Sequence, residues 1–285
     1  MTRIIFFGSR SFVVPVAQAL QKNFNLQAIV TVPDKPSGRH LKLAPTPVKQ
    51  AFLDQNIPIF SPERLDQDFA DSIKSLEPDL FVVAAYGKII PQVVLDLPKL
   101  GTINLHPSLL PKFRGPSPLQ TAILEGEKET GMSYMLLDEN MDHGPILYQK
   151  SLDIDSGDNY QTLGNKIFQQ ASQDITQIIK DYILGKLKST AQNHAIATFC
   201  DKVTKEDGYF EINNLPTGKQ ALQEFLEKLD RMIRAYYPWP TAWTKWNGKI
   251  VKLLPEGKVQ IEGKAPVSLK EFLNGYQNFP IKQLF

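Results

Sequence analysis

Residues 101–115 read Gly-Thr-Ile-Asn-Leu-His-Pro-Ser-Leu-Leu-Pro-Lys-Phe-Arg-Gly. The segment opens as a β-branched strand and ends as a loop stiffened by Pro107 and Pro111 and closed by Gly115. Asn104 and His106 are two residues apart, so on a strand both project from one face. An amide donor beside a titratable ring at a strand end is a catalytic arrangement. Asp142, in Asn140-Met-Asp-His-Gly-Pro145, follows one strand and one loop later. It could supply the carboxylate that orients the imidazole.

Outward from this segment, short apolar runs alternate with helical patterns. Residues 4–7, 26–30, 57–60, 80–83 and 102–105 predict strands, and stretches near 12–22, 47–55, 63–76 and 117–126 predict helices. Alternation of this kind with apolar strands predicts an α/β domain, an open, mostly parallel, doubly wound Rossmann-like sheet covered on both faces. Such sheets bind ligands at the carboxyl ends of their strands, where Asn104 and His106 fall. Residues 132–138 and 145–154 read as two further strands with Asp142 between them, and a long helix follows over about 159–184. Residues 191–205 read as a polar connector between a catalytic domain, 1–190, and a shortened C-terminal domain, 206–285. The latter holds a helix over 219–235 and strands at 242–246, 249–254 and 258–262 split by Asn-Gly and Glu-Gly turns, the pattern of a small OB-like β-barrel.

Composition narrows the class. The 285 residues are 42% apolar, with no run long enough to span a bilayer. The opening Met-Thr-Arg-Ile-Ile-Phe-Phe-Gly starts a strand and has no signal-peptide pattern. A single cysteine, Cys200, allows neither an internal disulfide nor a cysteine zinc cluster. A cytoplasmic protein, monomeric and with no membrane partner, is expected. The net charge of +2 is unevenly spread: residues 231–285 carry nine Lys/Arg against three Asp/Glu, leaving 1–230 acidic. A basic C-terminal segment fits a polyanion-binding appendage or a lysine-rich solvated surface. The first strand–helix turn, Gly8-Ser-Arg-Ser-Phe12, lacks the G-x-G-x-x-G fingerprint, so a dinucleotide is not indicated.

Asn104-Leu-His106, Ser108-Leu-Leu-Pro-Lys-Phe-Arg-Gly115 and Met141-Asp-His-Gly144 resemble the core signature of the folate-dependent formyltransferases. Residues 82–91, 33–39 and 233–240 are similar to the branch of that family acting on methionine attached to initiator tRNA, as is the Thr204-Lys-Glu-Asp-Gly208 element. The similarity runs from about residue 3 to about 250. It implies transfer of formyl from 10-formyltetrahydrofolate, a co-substrate, to the α-amine of initiator Met-tRNA, with no metal. Formyl transfer needs an oxyanion donor, a proton acceptor and a group that orients the acceptor. Asn104, His106 and Asp142 suit these roles in turn. The resemblance further implies a folate pocket walled by Ser108, Leu109, Leu110 and Pro111, by Tyr86, Gly87, Lys88 and Ile89, and by the segment from Asp138 to Asp142. The loop over residues 33–47, with four prolines, implies the tRNA contact through Arg39, aided by Lys35 and Lys42.

Three other readings compete. A formyltransferase acting on an aminosugar nucleotide would share the triad and folate pocket but need no basic appendage. A hydrolase of formyl-folate would carry an extra N-terminal domain, and a non-catalytic RNA-binding protein would not need Asn104, His106 and Asp142. Two departures from the family pattern stand out. Ser9 and Arg10 replace the usual Thr-Pro, and His143 replaces a small residue and is expected to face solvent.

Overall fold

The structure, a computed structural model, describes residues 1–37 and 42–282. The chain divides into two compact units. One is formed by residues 1–115, 130–152 and 164–199, the other by 116–129, 153–163 and 200–285.

The first unit is built on β1 (Arg3–Gly8), β2 (Asn25–Val30), the short pair β3 (Lys35–Ser37) and β4 (Lys42–Ala44), β5 (Ile59–Phe60), β6 (Leu80–Ala84), β7 (Thr102–His106), β8 (Glu129–Leu136) and β9 (Ile146–Asp153). All but β3 and β4 join one sheet in the order β5-β2-β1-β6-β7-β8-β9. The pairs from β5 to β7 are parallel, and β8 returns antiparallel to β7. The chain fills the sheet outward from β1, first one way and then the other. The order therefore reverses between β1 and β6, where open α/β sheets present their crevice.

The connecting helices are α1 (Val14–Asn23), α2 (Pro47–Phe52), α3 (Gln67–Lys74) and α4 (Gln92–Leu95); α5 (Pro118–Leu124) precedes β8, and α6 (Tyr160–Ile183) follows β9. Local chemistry sets their starts. Thr46 caps α2 by accepting from the Lys49 N–H, with Pro47 in the first turn, and Asp66 caps α3 by accepting from Phe69. Strands β1 and β6 are buried along almost their whole length, as strands covered on both faces must be. On one face Ile5, Phe7, Phe81 and Val83 pack with Phe69, Ile73 and Val94. Elsewhere in this unit Phe12 stacks on Phe168, ring centroids 5.0 Å apart, and Gly164 leaves room for that ring.

The β3–β4 hairpin lies inside the segment read from sequence as loop. Three-residue strands containing Pro36 give no alternating signal.

The second unit contains α5, α7 (Lys219–Ala235), β10 (Ala242–Trp246), β11 (Lys249–Leu254), β12 (Lys258–Ile261), β13 (Val267–Ser268) and α8 (Leu269–Gly275). The four strands form an antiparallel sheet in chain order. Asn247 and Gly248, both at positive φ, make the two-residue turn between β10 and β11. Leu226, Leu229 and Ile233 recur at helical spacing on α7 and bury against Ala242, Val251, Leu253 and Val259. β13 and α8 are additions to the sequence reading. Their signal was present: Ser268 and Glu271 form a reciprocal capping box.

At the foot of the main sheet, Arg3 grips Asp79. The Arg3 backbone N–H and Nε donate to Oδ2 at 2.8 and 3.2 Å, and Nη2 donates to Oδ1 at 3.0 Å. The Arg3 side-chain and backbone hydrogen bonds hold the Asp79 carboxyl below its usual range. A depressed folded-state pKa stabilises above the unfolded value and is lost as pH falls through the folded value. Asp79→Asn is therefore expected to destabilise the protein at neutral pH, with the gap to wild type closing below about pH 4, the ordinary carboxylate value. Urea unfolding across that range checks it, and a gap independent of pH would show that the charge is irrelevant.

Candidate active site

Strand β7 delivers Asn104 and His106 to the same face, and the loop after it folds back to meet them. The His106 Nε2–H donates to the carbonyl of Phe113 at 2.9 Å. A carbonyl only accepts, so in the neutral ring Nε2 carries the hydrogen and Nδ1 keeps the lone pair. Nδ1 lies 3.5 Å from Asp142 Oδ2. A proton taken up on Nδ1 thus meets a carboxylate. His106 is 4% exposed, which shields that encounter from solvent.

Asp142 sits between β8 and β9 at φ +48°, a left-handed conformation that Asp tolerates better than bulkier residues. Its carboxylate accepts from the Gly115 N–H at 2.8 Å through Oδ2 and from Asn104 Nδ2 at 3.3 Å through Oδ1. One Asn104 amide hydrogen is thereby engaged, and the second is left for a ligand. The three residues singled out in the sequence are brought together.

The loop that carries the Phe113 carbonyl is held under strain. Phe113 adopts φ +58°, costly for a large side chain, by about 1–2 kcal/mol. Its N–H donates to Thr198 Oγ1 at 2.9 Å, and the Arg114 N–H donates to the Thr198 carbonyl at 2.9 Å. Residues 190–199 thus run back against the site. Gln192, buried at 6% exposure, donates to the carbonyls of Asp142 and Gly144. Sequence reasoning passed over Phe113, Arg114, Gln192 and Thr198 as site residues. Only Arg114 had a visible signal, as a charged residue inside the motif Ser108–Gly115.

The other candidates fall as follows. Ser108 is buried and donates to the Lys112 carbonyl. Leu110 is buried, its N–H donating to Ser133 Oγ and its carbonyl accepting from Gln149, while Leu109 and Pro111 are half-buried. Tyr86 packs edge-on against Phe7. Its hydroxyl is buried, and burial pushes its ionisation up to about 12, so it acts as a neutral wall. Gly87 is exposed at φ +86°, a conformation that suits glycine, and Ile89 is 82% exposed. Lys88 is turned away, its Nζ donating to the carbonyls of Pro62 and Glu63.

The Ser9 departure has a role in this wall: its hydroxyl donates to the Tyr86 carbonyl and accepts from Thr31 and from the Val32 N–H. Asp138 accepts from His143 Nδ1 at 2.7 Å, and the His143 ring stacks on His194 at 4.0 Å, so His143 is paired rather than simply facing solvent. Desolvation and the neighbouring His143 and Arg114 charges lower the His194 pKa. Of the basic residues in the 33–47 loop, Lys35 is exposed. Arg39 and the side chain of Lys42 lie outside the described residues.

At the end of a switch-point sheet, the amide and imidazole of β7 meet a carboxylate from the β8–β9 turn, the groups that acyl transfer requires, and the formyl transferase family model matches residues 2–179. Its companion, the formyl transferase C-terminal domain, matches residues 222–256. The methionyl-tRNA formyltransferase of Chloroflexus aggregans is 39% identical over 88% of this chain and 79% of its own length. That of Halalkalibacterium halodurans is 39% identical over 96% and 84%. The solved methionyl-tRNA formyltransferase from Clostridium thermocellum, 20% identical, covers 94% of this chain and 100% of its own with a TM-score of 0.58. The chain belongs to the methionyl-tRNA formyltransferase family.

The turn carrying Asp142 has little slack. A Cβ at Gly144 would fall on the carbonyl oxygen of Leu136. Gly144→Ala is expected to lower the melting temperature by at least a few degrees, the scale of a backbone clash of one or more kcal/mol. A melting temperature equal to wild type in calorimetry would show that the turn relaxes without cost.

Proposed function

We propose that this chain transfers the formyl group of 10-formyltetrahydrofolate to the α-amine of methionine on initiator tRNA, for translation initiation. The observation that carries the reading is the convergence of Asn104, His106 and Asp142 at the end of β7 in a chain of this family.

The chemistry follows from the groups available. The neutral amine attacks the formyl carbon and makes a tetrahedral centre. The free Asn104 amide hydrogen stabilises the developing oxyanion. The attacking nitrogen gives up a proton to His106 Nδ1, and the imidazolium is held by Asp142. Collapse of the tetrahedral centre breaks the bond from the formyl carbon to the folate nitrogen, which leaves with the proton returned by His106, so the neutral imidazole is restored. Each step moves charge toward a group already in place, so little reorganisation is required.

The folate is proposed to lie against Tyr86–Ile89 and Ser108–Pro111, with Asp138 near the closing segment. Half-buried Leu109 and Pro111 supply apolar surface, buried Tyr86 and Leu110 back it, and exposed Gly87 lets the backbone approach a flat ring. Lys88 is bonded elsewhere, so it contributes to holding that wall rather than to a direct charge contact. Residues 206–285 are proposed as the tRNA-binding domain, and the catalytic domain over 1–190 is proposed to take in residues 191–199 of the expected connector 191–205, which fold back on the site. Arg39, Lys35 and Lys42 are proposed to discriminate the acceptor end. The reaction is proposed to take place in the cytoplasm. Among the described residues no helix is long and apolar enough to cross a membrane.

His106→Ala, Asn104→Ala and Asp142→Ala are each expected to lower turnover by about a hundredfold or more while the protein stays folded. Near-normal turnover in folded His106→Ala would remove the mechanism.

Binding of tRNA is expected to weaken steeply with salt, because phosphate contacts release counterions. Arg39→Ala is expected to depress formylation of initiator Met-tRNA and to leave folate affinity nearly unchanged. Ready formylation of an aminosugar nucleotide, with Met-tRNA ignored at low salt, would instead establish the sugar enzyme.

A further inference from the structure

We infer that Gln192 is a positioning residue for Asp142, and that Arg114 and His194 hold it in place. The inference rests on the catalytic reading of Asp142 given above.

A glutamine amide has two donor hydrogens and two acceptor lone pairs. Both hydrogens are spent on the Asp142 turn: Nε2 donates to the Asp142 carbonyl at 2.9 Å and to the Gly144 carbonyl at 2.7 Å. Both lone pairs are spent on one guanidinium, with Arg114 Nε at 3.1 Å and Nη2 at 2.6 Å from Oε1. The same Nη2 also donates to His194 Nδ1 at 2.8 Å. Gln192 and Arg114 are both buried, at 6% and 3% exposure. A polar network this deep is costly unless every member is satisfied, and the amide is satisfied on all four sides.

The network is a closed ring. It runs from the Asp142 carbonyl through the Gln192 amide to the Arg114 guanidinium. It then follows the main chain one residue to the Gly115 N–H, which returns to Asp142 through Oδ2 at 2.8 Å. The backbone and the carboxylate of one residue are thus gripped from opposite sides by consecutive residues of the β7 loop and their partner. Asp142 holds φ +48° within this ring. Release of its carbonyl frees the turn to rotate, and the carboxylate turns with it, away from His106 and Asn104. A displacement of about 1 Å at a reacting group costs on the order of a hundredfold in rate.

A buried amide could instead serve packing alone, or serve only to neutralise Arg114. Two substitutions separate these roles. Gln192→Met keeps length and volume and removes all four hydrogen bonds. Gln192→Glu keeps the acceptor for Arg114 and removes the donors to the two carbonyls. For each, kcat and KM for formylation of initiator Met-tRNA are measured, together with hydrogen exchange of the Gly115 amide.

In both variants kcat is expected to fall by about ten- to a hundredfold, with KM for the folate within about twofold and Gly115 exchange accelerated. Wild-type kcat in Gln192→Met would assign the residue to packing, and wild-type kcat in Gln192→Glu would assign it to charge; either overturns the inference. If wild-type protein fails to formylate Met-tRNA, the proposed function fails. The brace is then judged by Gly115 exchange, which rises if it exists and stays at the wild-type rate if it does not.

Should neither Gln192 variant fold, His194→Phe at its exposed position keeps the stack on His143 and removes one acceptor from Arg114. A several-fold loss of kcat with faster Gly115 exchange is expected there, and wild-type values of both overturn the inference.

Discussion

Parallel pairing of β1, β6 and β7 is the constraint on which the first unit depends. Parallel strands end at one edge, so Gly8, Ala84 and His106 leave the sheet together. Gly8 is required there: a Cβ would press to within 2.5 Å of the Phe6 ring and 3.0 Å of the Ala84 carbonyl. The turn after β1 then reaches the turn after β6 through the Ser9 hydroxyl and the Tyr86 carbonyl. Reversal of strand order between β1 and β6 opens the crevice, and the antiparallel return of β8 carries the chain into the turn that holds Asp142. The chemistry of the site is therefore a property of topology first and of side chains second.

Strand periodicity placed Asn104 and His106 on one face, but their candidacy for catalysis came chiefly from the resemblance of the surrounding motif. Two residues apart on an apolar strand means one face, and the strand end means the ligand edge. The alternation of β and α elements was equally legible, since Ile4–Phe7 and Leu80–Val83 allow little but buried strands. The role of the chain after α6 was not. Residues 190–199 have no strand or helix periodicity, and most of their apolar residues are small alanines, so they read as a spacer. In the fold they return to the site and satisfy backbone groups of the Phe113 loop and the Asp142 turn. Contacts of that kind are long-range hydrogen bonds to main-chain atoms, which leave no mark on the composition of either partner. β13 and α8 were missed for a different reason. The Ser268–Glu271 capping box was legible, but the helix it starts is seven residues long and has a short apolar stripe.

Strain and satisfaction are balanced around Asp142. Phe113 and Asp142 both sit at positive φ, and both are tied by groups far away in sequence, Phe113 by Thr198 and Asp142 by Asn104, Gly115 and Gln192. Backbone conformations of this kind persist only where their surroundings over-determine them. Gly144 completes the arrangement, because the turn passes too close to Leu136 for any side chain there. The carboxylate is thus aimed by the backbone, while its own two oxygens remain free to meet Gly115, Asn104 and His106.

This division of labour bears on specificity. Any amine formyltransferase needs an oxyanion donor, a proton acceptor and a carboxylate, so the Asn104–His106–Asp142 cluster discriminates poorly between an aminosugar and an aminoacyl-tRNA. Discrimination has to come from surfaces that a small amine never touches. Two such surfaces are present in the sequence: the lysine- and arginine-bearing loop over residues 33–47, and the basic segment over 231–285. Charge supplies the second with affinity but little selectivity, since every tRNA presents the same phosphates. The first is anchored at both ends, by the β3–β4 pairing and by Thr46, which caps α2 and bonds Thr31. Arg39 lies between those anchors. A planar guanidinium reads base edges and phosphates in a way a lysine cannot. The proposed selection of the tRNA therefore falls to a loop whose flanking strands pair outside the seven-stranded sheet, which separates it from the triad that any acceptor would use.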